Sequence, residues 1–168
     1  MGGARAIAYT GASRHAFLRS RPPVPLHLVK LCVGVDDVDD LANWQKQRRA
    51  QQRAAGKKPV TRHLTRNAPR RADEILDGGS LYWVIKGVIR VRQRIIGIDP
   101  DCTEGGEPKC ELRLDTRLIR VAPKPMRPFQ GWRYLEAKDA PPDLDTLGRD
   151  VAEMPAQMAE DLRALGLL

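Results

Sequence analysis

The 168 residues carry 29 Lys and Arg against 21 Asp and Glu, a net charge of +8, and 42% of them are apolar. That is enough apolar side chain for one packed domain, and it excludes wholesale disorder. No uncharged run exceeds eight residues, well short of the roughly 18 that a membrane-spanning helix needs, so a helical membrane span is excluded.

The charge is unevenly distributed. From Leu41 to Arg71 there are ten basic side chains and no acidic one. From Leu41 to Arg133 the net charge is +12, and from Leu135 onward it is −5. A basic body with an acidic tail points to an anionic partner, nucleic acid being the commonest, or to a tail that shields the basic surface. The plainer alternative is a solvated basic helix. Three cysteines (Cys32, Cys102, Cys110) cannot close a disulfide framework. Arginines at positions 5, 14, 19 and 21 interrupt the N-terminus, which lacks the apolar core of a signal peptide. Both features predict a reducing cytoplasm.

In chain order, residues 1–24 are rich in Gly, Ala, Arg and Ser, without an acid or a periodicity before Val24. They read as a disordered tail or an over-extended reading frame, with Val24 a candidate GTG start. Pro25 to Val35 alternates and then becomes continuously apolar, the pattern of a strand buried on both faces. Asp36 or Asp37 caps a following helix, with Asp39 and Asp40 favouring its positive end. Val38, Leu41 and Trp44 form its expected buried stripe, while Gln45 to Ala55 projects as a basic rod that ends at Gly56. Pro59 to Thr65 reads as a short strand. Pro69 to Asp77 reads as a short helix with Ala72, Ile75 and Leu76 inward and Gly78-Gly79 as its stop.

The stretch from Leu81 to Ile95 divides by parity. Leu81, Trp83, Ile85, Ile89, Val91 and Ile95 fall in one set with Gly87 and Gln93; Tyr82, Val84, Lys86, Val88, Arg90, Arg92 and Arg94 fall in the other. Successive strand side chains alternate faces, so a continuous strand bent at Gly87 has one apolar face and one face with four cations beside a tyrosine. A hairpin at Lys86-Gly87 would instead put Trp83 and Ile85 on the same face as Arg90 and Arg92. The clean segregation therefore predicts the continuous strand. Cations two apart sit about 7 Å from each other and repel, and a polyanion relieves that repulsion. Lys86, Arg90, Arg92 and Arg94 are thus candidate phosphate contacts, with Arg62, Arg66, Arg70 and Arg71 extending the track and Tyr82 available for stacking. An edge strand protected from aggregation by charge is the structural alternative.

Glu111 to Leu114 and Leu118 to Val121 read as further strands. The segment Cys102 to Cys110 between them and the basic strand reads as a hairpin loop. Arg127, Gln130, Trp132 and Arg133 then mix flat, hydrogen-bonding and cationic groups around Gly131, a loop able to clamp a base. Phe129 and Trp132 plugging one end of the core is an equally simple account. Ala140-Pro141-Pro142 opens an acidic linker, and Pro155 to Leu165 is a terminal helix with Met158, Leu162 and Leu165 on one side. No phosphate-binding glycine loop, zinc-ligand spacing or nucleophile elbow occurs, so no catalytic residue, metal or cofactor is expected. His27, Lys30 and Cys32 are the residues from which a small-molecule pocket would have to be built.

The blocks Pro25 to Gly34, Gly78 to Ile89 with Arg92 to Ile95, and Arg127 to Leu135 resemble an alphaproteobacterial family, domain of unknown function family 1489. The resemblance covers about Val24 to Leu168. It implies a small cytoplasmic bacterial protein, with a start near Val24, and supplies no activity. Arg66 to Val84 and Arg94 to Ile98 are similar in pattern to the PUA superfamily, including its EVE and ASCH branches. That similarity implies a small pseudo-barrel that binds RNA or modified bases.

These readings converge on one α+β domain over residues 25–140. It is expected to be a curved mixed β-sheet or PUA-like pseudo-barrel with two flanking helices, followed by an acidic linker and a C-terminal helix over 141–168. The expected function is non-catalytic binding of RNA or single-stranded nucleic acid. An enzyme acting on an anionic small molecule and an interaction module for an acidic protein are the alternatives.

Overall fold

The computed structural model describes residues 24–105 and 107–146. The N-terminal tail before Val24 and the helix expected from Pro155 lie outside the described residues. No helix among those described is long and apolar enough to cross a membrane.

The first apolar run forms β1 (Leu26–Leu31), and both its faces are covered. Leu26 and Leu28 enter one core cluster and Val29 enters a second. Asp37 caps α1 (Val38–Ala54), its side chain accepting a hydrogen bond from the Asp40 amide at 2.8 Å. Next come β2 (Thr61–Thr65), α2 (Ala72–Leu76) and β3 (Ser80–Ile85). A long β4 (Val88–Glu104), then β5 (Glu107–Leu114), β6 (Ile119–Pro125) and β7 (Trp132–Glu136) complete the chain order. The sheet runs β2-β5-β4-β3-β1-β7, with β6 on β4. Among the described residues only β1 and β3 pair in parallel, the crossover between them carrying α1, β2 and α2. The fold is therefore α+β with a curved mixed sheet that does not close into a barrel.

Two cores sandwich the sheet. One contains Leu28, Leu81, Trp83, Val91 and Leu112 and is covered by Val38 and Leu41 of α1 and Ile75 of α2. The other gathers Val29, Tyr82, Val84, Ile89, Val121, Phe129 and Leu135. Four expectations fail here. Leu81 to Ile95 is not one continuous strand: Lys86 (φ 51°) and Gly87 (φ 76°) form a two-residue hairpin turn. Positive φ at both central residues matches the right-handed twist of the flanking strands. The conflict between faces that a plain hairpin creates is removed by a β-bulge. Val84 pairs with Ile89 and Trp83 with Val91, so Arg90 has no opposite residue on β3, and the pairing with β6 also steps over it. The extra residue turns Arg90 outward and restores Val91, Gln93 and Ile95 to the helix-covered face.

The cationic face is consequently not an open surface. Tyr82, expected there as a stacking platform, is 4% exposed within the second core. In α1, Trp44 is 46% exposed, and the buried stripe is Val38, Leu41 and Gln45. Position i+7 of a helix returns closer to the starting face than i+6 does. Gln45 is tolerated inside because its amide exchanges two 2.9 Å hydrogen bonds with Gln93. Gln93 Oε1 also accepts from Trp83 Nε1, and its Nε2 also donates to the Asp115 carbonyl. All four hydrogen-bonding positions of the Gln93 carboxamide are thus filled. In α2, Ile75 is fully buried, but Leu76 is 39% exposed.

Candidate nucleic-acid interface

The sheet curls far enough that its two edge strands approach each other. Trp132 opens β7, and its Nε1 donates at 2.9 Å to the carbonyl of Asn67, two residues beyond β2. The seam between these edges is a cleft of about 1310 Å³. One wall is the chain after β2, with Arg66, Asn67 and Arg70; the other is the turn before β7, with Gln130, Gly131 and Trp132. Lys30, at the end of β1, forms part of the base, and Tyr134 and Phe129 also line the space. Gly131 adopts φ 74°, the left-handed conformation in which glycine is unstrained. That turn lets its carbonyl accept from Lys30 Nζ at 3.3 Å.

The lining holds three cations, three aromatic rings and two side-chain amides, and no carboxylate. Trp132 and Tyr134 meet edge to face with centroids 5.1 Å apart. Arg71, on the rim, packs its guanidinium 5.6 Å from the Tyr134 ring and pairs with Glu74. Lys30 lies in register with Trp83 on one side and Trp132 on the other. Partial burial lowers its pKa from the ordinary lysine value, with Cys32 opposing that shift more weakly. An anion entering the seam therefore meets three cations and no carboxylate in the lining.

Among the sequence-predicted residues, Arg66, Arg70, Gln130 and Trp132 come together in this cleft, with Arg71 on its rim. The others do not join them. Arg92 is held bidentately by Asp143 at 2.7 Å and 2.7 Å and donates to Ser80 Oγ. That ion pair raises the Arg92 pKa and lowers that of Asp143. Arg92 therefore tethers the start of the acidic segment, helped by a bridge between Val121 and Asp143. Lys86 pairs with Asp36 at 2.6 Å, an exposed pair that contributes little to stability. Arg62 pairs with Glu111 at 2.8 Å. Arg133 lies 4.7 Å over Phe129. Arg90, Arg94 and Arg127 are exposed and lie outside the cleft lining.

Lys30 and Asn67 also line the cleft; the sequence singles out Lys30 only for a small-molecule pocket with His27 and Cys32. A lysine inside a strand otherwise buried on both faces was the available signal, since such a charge must find a solvated mouth or a partner. Asn67 gave none.

Of the titratable groups suited to catalysis, His27 stands apart, whereas Cys32 and His63 both sense the charge of Lys30. His27 contacts Tyr82 in the second core, while Cys32 packs against the first. Burial, assisted by Arg92, lowers the His27 pKa to about 4, and its Nδ1 accepts from the Ser80 amide at 3.1 Å. His63 stands edge-on to Trp83 with centroids 5.2 Å apart. Its pKa is also lowered to about 4, by burial first and then by the charge of Lys30. Burial raises the Cys32 thiol to about 11, so at neutral pH it is a thiol rather than the nucleophilic thiolate. No group of three or more His, Cys, Asp or Glu side chains among the described residues is arranged to hold a metal ion.

Fold and site together define a curled, open-seamed α+β protein with a cationic, aromatic-lined cleft free of acidic side chains. The chain belongs to the family described as protein of unknown function (DUF1489), which matches residues 28–168. No curated protein and no solved structure matches it.

Proposed function

We propose that this protein binds RNA or another single-stranded nucleic acid, without chemistry, in the seam between β2 and β7. The observation that carries the proposal is the composition of the lining: Lys30, Arg66 and Arg70 beside Trp132, Tyr134 and Phe129, with no carboxylate. Cations neutralise phosphates, and the accessible faces of Trp132 and Tyr134 stack on unpaired bases, whereas Phe129 belongs to the second core. Asn67 and Gln130 add donors and acceptors for base edges. The contact face expected on the strand from Leu81 to Ile95 is replaced by this seam, because half of that strand face is core. A duplex suits the seam poorly, since splayed single-stranded bases are what aromatic side chains receive.

The test is fluorescence anisotropy with a labelled single-stranded RNA, titrated over a range of salt concentrations. Arg66→Glu with Arg70→Glu is expected to weaken binding at least about tenfold. If those two side chains each neutralise one phosphate, the slope of log K against log salt falls by about 1.4. Arg90→Glu with Arg94→Glu, on exposed side chains away from the seam, is expected to change affinity by less than about threefold, through long-range charge alone. Unchanged affinity in the first variant and lost affinity in the second would assign binding to the strand surface and refute the seam.

A further inference from the structure

We infer that a second depression, at the other end of β2, is a separate contact for the same ligand, so that the ligand is an oligonucleotide spanning both sites rather than a mononucleotide. This rests on the reading of the seam as a nucleic-acid site. The depression has a volume of about 690 Å³ and is walled by Trp44, Arg48 and Gln51 of α1, by Lys57 and Lys58, and by Arg62 at the start of β2. It repeats the chemistry of the seam, with an exposed aromatic ring surrounded by cations. Trp44 is among the most apolar side chains of α1, yet it is 46% exposed while Gln45 is buried in its place. Arg48 sits 5.1 Å over the Trp44 ring, so indole and guanidinium are presented together as a flat, positively charged surface. The carboxylate in the lining, Glu111, is already engaged by Arg62 at 2.8 Å and Arg113 at 3.5 Å.

The two depressions are joined by β2 itself. Val60 and Arg62 line the second, while Leu64, Thr65 and Arg66 line the seam. Arg62 and Leu64 are two apart and therefore share one face of the strand. Arg62 and Arg66 are four positions apart, about 13 Å at ~3.3 Å per residue. Among the described residues β2 pairs only with β5, so its other edge runs unpaired between the two sites. A single strand lying along that edge reaches both aromatic platforms, whereas a mononucleotide reaches one.

The experiment measures affinity for fluorescein-labelled oligouridylates of roughly 2, 4, 8 and 12 nucleotides, bracketing the usual site size of small single-strand binders. The wild-type protein is compared with Trp44→Ala/Arg48→Glu and with Arg66→Glu/Arg70→Glu. Circular dichroism verifies the fold of each; Trp44 and Arg48 lie on the exposed face of α1, so their removal leaves it intact. The expected result is a rise of at least about tenfold between the short and long probes, the order that one base–aromatic stack supplies. Trp44→Ala/Arg48→Glu abolishes that rise and leaves the shortest probes bound as before. If length has no effect, or if the rise survives in that variant, the second contact is overturned. In that case sensitivity of the short probes to Arg66→Glu/Arg70→Glu would still uphold the seam. If no probe of any length binds, both readings fall.

Discussion

Replacing Gln93 by leucine tests the least replaceable polar contact in the core. Gln93 is fully buried, and its carboxamide makes four hydrogen bonds: two with Gln45, one from Trp83 Nε1 and one to the Asp115 carbonyl. Leucine fills a similar volume, so the cavity contribution is small and the cost comes from the groups left behind. Three partners lose bonds: the buried Gln45 amide and Trp83 indole, and the half-buried Asp115 carbonyl. At about 1–1.5 kcal/mol each, the loss is roughly 3–5 kcal/mol, a large share of the 5–15 kcal/mol typical of a domain. In urea unfolding followed by Trp fluorescence, a change of that size shifts the midpoint by about 2 M, for a slope near 2 kcal/mol/M. Adding Gln45→Leu removes one stranded group and lets two apolar side chains face each other between α1 and β4. The double variant is expected to be more stable than Gln93→Leu alone by about 1 kcal/mol or more, a coupling that independent sites do not show. A cost below about 1 kcal/mol for Gln93→Leu, or strict additivity of the two changes, would refute the network as the element that seats α1.

Three further outcomes follow from the packing. An alanine Cβ at Gly79 would collide with the carbonyl oxygens of Ile75 and Leu26; Gly79→Ala is expected to cost about 3 kcal/mol or more, visible as a lowered melting temperature. His27 and His63 have folded pKa values near 4 against an ordinary 6.5. The unfolded chain therefore takes up protons first as the pH falls, and the histidine contribution to stability is full above about pH 6.5, is lost progressively toward pH 4, and then levels off. Each site contributes up to roughly 3 kcal/mol of that loss, and His27→Gln/His63→Gln should flatten the urea midpoint between pH 7 and 4.5. Asp143→Ala removes the bidentate partner of Arg92 at a cost of about 1.5–3 kcal/mol. It should also speed amide exchange at Ala122, whose N–H donates to the Pro142 carbonyl at 2.9 Å.

Much of the local structure was legible from neighbouring residues. The Asp37 cap, the doubly buried β1 and the stop after α2 depend on side chains within a few positions of each other, where propensity and alternation act directly. Arg66, Arg70, Gln130 and Trp132 stand out in the sequence as cations or flat hydrogen-bonding groups, but their meeting in one seam is not legible there. Parity alone argues against the hairpin at Lys86-Gly87, because it assigns the faces wrongly. A single bulged residue reverses parity, and nothing in the string of side chains marks Arg90 as that residue. The choice of Gln45 over Trp44 for the interior depended on a partner 48 positions away, which local periodicity does not contain.

The sequence by itself determined that the chain forms an α+β domain rich in cations and equipped with a few aromatic side chains. Tertiary structure decided which of those groups face a common space. Lys30, the 66–70 segment and the turn before β7 are far apart along the chain, and they converge only because the sheet curls until its two edges nearly meet. Curvature accumulates from twist across many strand pairs and from bulges at particular registers. Such long-range pairing assembled the seam from residues whose neighbours in sequence give no sign of it.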